Sequence, residues 1–165
     1  MRSKLVALAA LAAFPAMTSW AQEPAPLKTF VSSAEISGLL AKAKADRKGD
    51  QPLVVEPILS LAPYRALLEY RPALAPAALH EKDAELMYVL EGEGNIVTGG
   101  KLVNEKRNNA HNLSGSSIEN GHSQAVKKGD YVFVPENTPH QVEPTGGAPI
   151  ILVTLHVPRP VDWDR

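Results

Sequence analysis

The stretch HEKDAELMYVLEG, residues 80–92, holds a His, a Glu five positions later, an apolar run and a closing Gly. Leu86 to Leu90 is too short for a helix of a globular protein and is bounded by turn residues, so it reads as a β-strand that Glu85 opens and Gly92-Glu93-Gly94 ends. Strand alternation puts Met87 and Val89 on the face of Glu85 and Tyr88 on the other face. A carboxylate beside an apolar run is costly to bury unless something neutralises it. A second stretch, GDYVFVPENTPH at 129–140, repeats the design with a Gly, a short apolar strand, a Pro-rich corner and a His. Two imidazoles and a carboxylate at such strand junctions make a donor set that suits iron(II), manganese or zinc.

Working outward, the segments Leu53–Val55, Ile58–Leu61, Arg65–Tyr70, Asn95–Thr98, Ser123–Val126, Tyr131–Val134, Gln141–Val142 and Ile150–His156 are further short strands between Gly, Pro and Asn turns. Asn95–Thr98 is expected to be the hairpin partner of Leu86–Leu90. No long helical pattern alternates with the strands, so the pattern excludes a parallel α/β sheet and indicates a sandwich or closed barrel. One helix is expected ahead of it. Ser32 and Glu35 have capping-box spacing, and Ile36, Leu39, Leu40 and Ala43 recur on one face that should lie against the barrel. Residues 104–121, rich in Asn and Ser, are too long for an ordinary hairpin loop.

The first residues carry a different signal. Arg2 and Lys4 precede an apolar run from Leu5 to Met17, followed by Ser19-Trp20-Ala21. That order is the charged, apolar and small-x-small pattern of a cleavable signal peptide, with cutting expected after Ala21 and a periplasmic or secreted destination. The run is too short to span a bilayer, so no membrane span is expected after cleavage. The expected organisation is a signal peptide at 1–21, an arm and helix at 22–50, an all-β barrel at 51–157 and a tail at 158–165.

Composition narrows the chemistry. The 165 residues carry a net charge of −1, which becomes −3 on loss of Arg2 and Lys4, and no basic stripe, so nucleic-acid binding is not expected. There is no Cys, which removes thiolate metal sites, disulfides and cysteine nucleophiles together. There is no G-x-S-x-G elbow either, so a serine hydrolase of that type is excluded.

The two stretches resemble the two motifs of the cupin superfamily, G-x5-H-x-H-x3–4-E-x6-G and G-x5-P-x-G-x2-H-x3-N. His80, Glu85 and Gly92 match the latter part of the first, and Gly129, Pro135 and His140 match the second. The resemblance implies a double-stranded β-helix, or jelly-roll barrel, over about residues 51–157. It also implies one divalent metal held by His80, Glu85 and His140, and a homodimer. Gly92 and Gly129 then stand at turns where positive φ is cheap, and Asn137 replaces a Gly of the second motif because Asn tolerates the left-handed region. The sequence departs from the pattern at Pro72 for the leading Gly, at Pro144 for the final Asn and, above all, at Ala78 for the first His.

Two readings follow from Ala78. One is a two-His, one-carboxylate metal site with positions open to water and substrate, and the other is a site that has lost its metal and binds a ligand without one. The expected function is action on a small organic substrate through dioxygenase, isomerase or decarboxylase chemistry. The alternative is a non-catalytic module that binds a sugar or another small molecule, and the fold alone does not decide between them. Met87 and His156 are the candidate pocket residues. His156 shares its parity with Ile150, Leu152 and Thr154 on the last strand, whereas His111 and His122 are expected to face solvent.

Overall fold

The computed structural model describes residues 27–159, so the signal segment and most of the C-terminal tail lie outside the described residues. Helix α1 spans Ser33–Asp46 and is followed by β1 (Val54–Leu61), β2 (Tyr64–Arg71), β3 (Ala77–His80), β4 (Asp83–Glu91) and β5 (Glu93–Thr98). The chain continues through β6 (Lys101–Val103), β7 (Lys106–Arg107), β8 (Asn112–Gly115) and β9 (Ser117–Glu119). It ends with β10 (His122–Lys127), β11 (Tyr131–Val134), β12 (His140–Pro144) and β13 (Ile150–Pro158). Five strands form one sheet in the order β1-β2-β13-β4-β11, six form the other in the order β10-β5-β12-β3-β8-β7, and β6 and β9 pair by themselves. Every strand pairing is antiparallel. No described helix is long and apolar enough to cross a membrane.

Both sheets contribute to one buried cluster, with Met87, Val89, Val134 and Leu152 from the first and Ile96, Val126 and Val142 from the second. That shared core makes the molecule a two-sheet β-sandwich of jelly-roll type. Helix α1 covers the outer face of the five-stranded sheet, where Leu40 and Ala43 pack with Val54, Leu68, Tyr70 and Ile151. Its capping box is formed. Ser32 Oγ accepts from the Glu35 N–H at 3.2 Å, and Glu35 Oε2 accepts from the Ser32 N–H at 2.9 Å. Hydrogen bonds from Lys28 and then from Ser32 hold the Glu35 carboxyl down at about 2.

The structure revises three expectations. Leu53–Val55 and Ile58–Leu61 fall in one strand, β1, with an irregularity between Pro57 and Leu59. Pro57 is tolerated there because β1 is an edge strand with an unpaired side. Residues 104–121 form three short strands rather than a loop, and β8 extends the six-stranded sheet beside β3. Finally, Asn95–Thr98 is not the hairpin partner of Leu86–Leu90. Strand β5 pairs with β10 and β12 in the other sheet, while β4 pairs with β13 and β11.

The chain changes sheets at Gly92, where φ is +82° and a Cβ would stand 2.4 Å from the Pro149 carbonyl oxygen. Gly129 has a φ of +96° but open space around the Cβ position. Gly129→Ala is therefore expected to cost only the conformational penalty of about 1–2 kcal/mol. Gly92→Ala, which adds a backbone collision, should cost at least about 2 kcal/mol more. Denaturant midpoints of the two variants check this, and equal losses would show that the sheet crossing at Gly92 is not as tight as described.

Candidate metal centre

Glu85 lies in β4, which β13 flanks on one side and β11 on the other, and its side chain is 3% exposed. The register sets His156 of β13 directly across from Glu85. On the other sheet β12 and β3 pair so that His140 stands across from Ala78, and His80 is two residues further along β3 on the same face. The Pro-rich corner is tied to this strand as well, because the N–H of Asn137, with φ +57°, donates to the His80 carbonyl at 2.7 Å. Three histidines from three other strands are thereby gathered around one buried carboxylate.

The distances are short. His140 Nε2 is 3.1 Å from Glu85 Oε2, His80 Nε2 is 3.5 Å from the same oxygen, and His156 Nε2 is 3.7 Å from Oε1. The His80 ring centroid lies 5.2 Å from that of His140 and 5.0 Å from that of His156. Ligand atoms of His80, Glu85 and His156 all fall within 4.8 Å of one another, as in groups that can hold a metal ion. His156, a candidate pocket residue in the sequence, stands in the ligand cluster itself. Met87 is a correction. It is fully buried in the apolar core with Val89 and Ile96 and is not among the residues lining the cavity, because that part of the barrel is filled by packing. His111 and His122 are exposed.

Hydrogen bonding fixes how two of the rings present themselves. His140 Nδ1 lies 3.1 Å from the Thr138 carbonyl oxygen, which can only accept, so Nδ1 carries the proton and donates. His80 Nδ1 lies 2.6 Å from Asn112 Oδ1. The Asn112 amide is oriented in turn, because its Nδ2 donates to Asn109 Oδ1, which also accepts the His111 N–H. The polar segment around residues 109–112 thus sets the tautomer of His80, a role for it that composition did not reveal.

With both Nδ1 protons committed outward, the Nε2 atoms face the carboxylate, as lone pairs when the rings are neutral and as N–H donors when they are protonated. Acceptors facing acceptors at 3.1–3.5 Å repel unless a proton or a cation lies among them. Glu85 Oε2 and His156 Nδ1 are buried atoms without a hydrogen-bond partner among the described residues. Burial pushes the Glu85 carboxyl up, but the contacts with His140 and His80 outweigh it and hold the group well below the usual carboxylate range, so it is ionised at neutral pH. Burial likewise pulls His80 down, and its bonds to Glu85 and Asn112 more than offset this, whereas His156 ends up lowered by burial. A buried anion ringed by imidazole lone pairs that are oriented by carbonyl oxygens is the donor chemistry of a divalent metal site. The residues fit the ion.

These groups line a cavity of about 210 Å³. Ala78, in the position of the missing motif His, also lines it. A larger groove of about 500 Å³ runs beside α1, but its wall is mainly apolar and holds no His, so the chemistry belongs to the smaller cavity.

A family model described as cupin matches residues 58–156. A solved structure from Bacillus halodurans superposes with a TM-score of 0.53 at 17% identity, over 81% of this chain and 83% of that one. A protein with a double-stranded β-helix domain from Klebsiella pneumoniae superposes at 0.51 with 17% identity, covering 68% of this chain and 82% of the other. Iron(II)-bound HppE in complex with its substrate superposes at 0.51 with 18% identity, over 67% of this chain and 53% of HppE, so the match spans about half of that protein. No match was found among curated proteins. The family match over most of the barrel, the two-sheet jelly-roll architecture and the shared fold of these structures agree, and the chain belongs to the cupin family.

Proposed function

We propose that this chain is an exported cupin that holds one divalent metal ion on His80, Glu85, His140 and His156 and acts on a small organic molecule admitted to the cavity. The observation that carries the reading is the pair of histidines whose Nδ1–H groups are spent on the Asn112 and Thr138 oxygens while their Nε2 atoms converge on the buried Glu85 carboxylate. A structural ion pair would place protons on those Nε2 atoms, whereas a metal ion would take their lone pairs, and the outward Nδ1 bonds orient the rings for either, so metal uptake is the deciding measurement. Iron(II)-bound HppE shares the fold, which makes iron(II) the first metal to try, with manganese and zinc next. When bound, the ion supplies Lewis acidity and, for iron, a route to oxygen chemistry, so dioxygenation, isomerisation and decarboxylation are the reaction types to assay.

The chain's own residues perform the remaining tasks. Asn112 and Thr138 hold two imidazoles in one tautomer and one orientation. The core around Met87 and Val89 closes part of the barrel interior to water, so the polar groups act in a small, shielded volume. Arg2, Lys4, the Leu5–Met17 run and the Ser19-Trp20-Ala21 site support export, and exposed Tyr131 and Phe133 on the edge strand β11 support pairing of two copies. Both points are checked together on protein recovered from a periplasmic fraction. Its mass should begin at Gln22, and light scattering should give two chains. An uncleaved N-terminus counts against export, and a single chain counts against the dimer.

Metal analysis tests the centre itself. Protein loaded with iron(II), manganese or zinc should carry close to one ion per chain, and His80→Ala or His156→Ala should weaken retention by at least about tenfold. Each ligand binds only when deprotonated, and the His80 proton is held above its ordinary 6.5. Protons therefore compete as the pH falls, and loading should be lost as the pH is lowered through the raised His80 range into acid. Well-folded protein that takes up none of the three metals would refute the proposal.

A further inference from the structure

The metal-binding residues occupy only part of the cavity wall. Arg65, Leu67, Glu69 and Arg71, the alternate residues of β2, line the same space together with Leu53. Arg65 lies at the rim, half exposed and paired with Asp83 at 3.0 Å. Arg71 is different. Its side chain is 9% exposed and its Nε donates to Glu69 Oε2 at 2.7 Å, with the Glu69 side chain itself 7% exposed. Its two terminal nitrogens find no acceptor among the described residues. They are not among the sealed, unpaired polar atoms, so their four N–H donors open onto the cavity, where an oxygen ligand is the natural acceptor. Planar, paired N–H donors match a carboxylate in bidentate fashion.

Charge points the same way. Among the cavity-lining residues, the charges of Arg65, Arg71, Glu69 and Glu85 cancel, and Asp83, which pairs with Arg65 from outside the lining, leaves a single negative charge. A divalent ion at the histidine cluster turns that balance to one positive charge, which a monoanion neutralises. Leu53 and Leu67 offer an apolar wall for an aliphatic body. At about 30 Å³ per water-sized group, the cavity of about 210 Å³ holds a ligand of about seven heavy atoms.

We infer that Arg71, braced by Glu69, is the carboxylate-binding arm of this cavity, and that the ligand is a small aliphatic monocarboxylate whose body lies along Leu53 and Leu67. The charge balance rests on the metal centre proposed above, while the geometry of Arg71 does not. Glu69 is a positioning residue: it holds Nε so that the terminal nitrogens are left for the ligand.

The test titrates zinc-loaded protein with sodium pentanoate and with its neutral isostere pentanamide, reading binding from protein NMR shifts and metal content from the same samples. Pentanoate should bind at least about tenfold more tightly than pentanamide. Arg71→Gln should abolish that preference with metal content unchanged. Because Arg71→Gln leaves Glu69 buried alone, the paired variant Glu69→Gln/Arg71→Gln is measured beside it and should lose the preference too. Arg71→Lys should retain only part of it. Equal binding of the two probes, no pentanoate binding up to about 50 mM, or an unchanged preference in both glutamine variants overturns the inference. Metal content separates the two proposals. Metal-loaded protein that ignores the carboxylate overturns the arm alone. Metal-free protein with Arg71-dependent pentanoate binding overturns the metal centre and leaves the arm standing.

Discussion

A carboxylate at the centre of a sheet, almost sealed from solvent and facing imidazole nitrogens, sets the terms for the rest of this molecule. Burying an unpaired ion costs several kcal/mol even after relaxation, so Glu85 is tolerable only in company. Three histidines from three other strands supply it, and no two of them are close in sequence. The barrel topology is what brings them together. His156 reaches Glu85 through direct cross-strand pairing, whereas His80 and His140 arrive from the facing sheet. Closing two sheets over a shared core is therefore a condition for the site as well as for the fold.

The interior is divided between two jobs along the same strands. On β4 the inward residues pass from Glu85 in the cavity to Met87 and Val89 in the core, and on β13 from His156 to Leu152 and Ile150. The apolar part supplies the burial that stabilises the fold, about 25 cal/mol per Å² of apolar surface removed from water. It also fixes the strands rigidly enough to hold the polar part in register. Strand β2 extends the polar part with the Glu69–Arg71 pair, so one strand set carries both a cation-seeking cluster and a donor-rich guanidinium.

Much of the fold was legible in short-range pattern. The Ser32–Glu35 capping box, the apolar runs of β4, β11 and β13 and the turn glycines are local signals, and local chemistry decides them. Strand partners were not legible. Nothing in Gly92-Glu93-Gly94 distinguishes a hairpin from a crossing between sheets, because the distinction lies in the distant Pro149 carbonyl. Strand β3 left no trace either, since four residues with two alanines after Pro76 carry little strand signal. The motif residues His80, Glu85 and His140 could be named from spacing, and His156 could be placed inward from parity alone. Its closeness to Glu85 depended on the β13–β4 register, and Met87 fell to the core for the same reason, since parity gives the face but not the depth. The tautomer of His80, set through Asn109 and Asn112, and the spare donors of Arg71 are relations between side chains that no one-dimensional pattern records.

The central claim is that imidazole nitrogens converge on Glu85 in order to share a metal ion with it. X-ray absorption at the metal edge of the iron(II)- or zinc-loaded protein tests this most directly, because imidazole rings give outer-shell scattering that carboxylates and water do not. The account predicts a first shell of nitrogen and oxygen at about 2.0–2.2 Å, with imidazole scattering from more than one ring that diminishes in His156→Ala. A bound metal whose spectrum shows no imidazole scattering, or one unchanged by loss of His80 and His156, would contradict it.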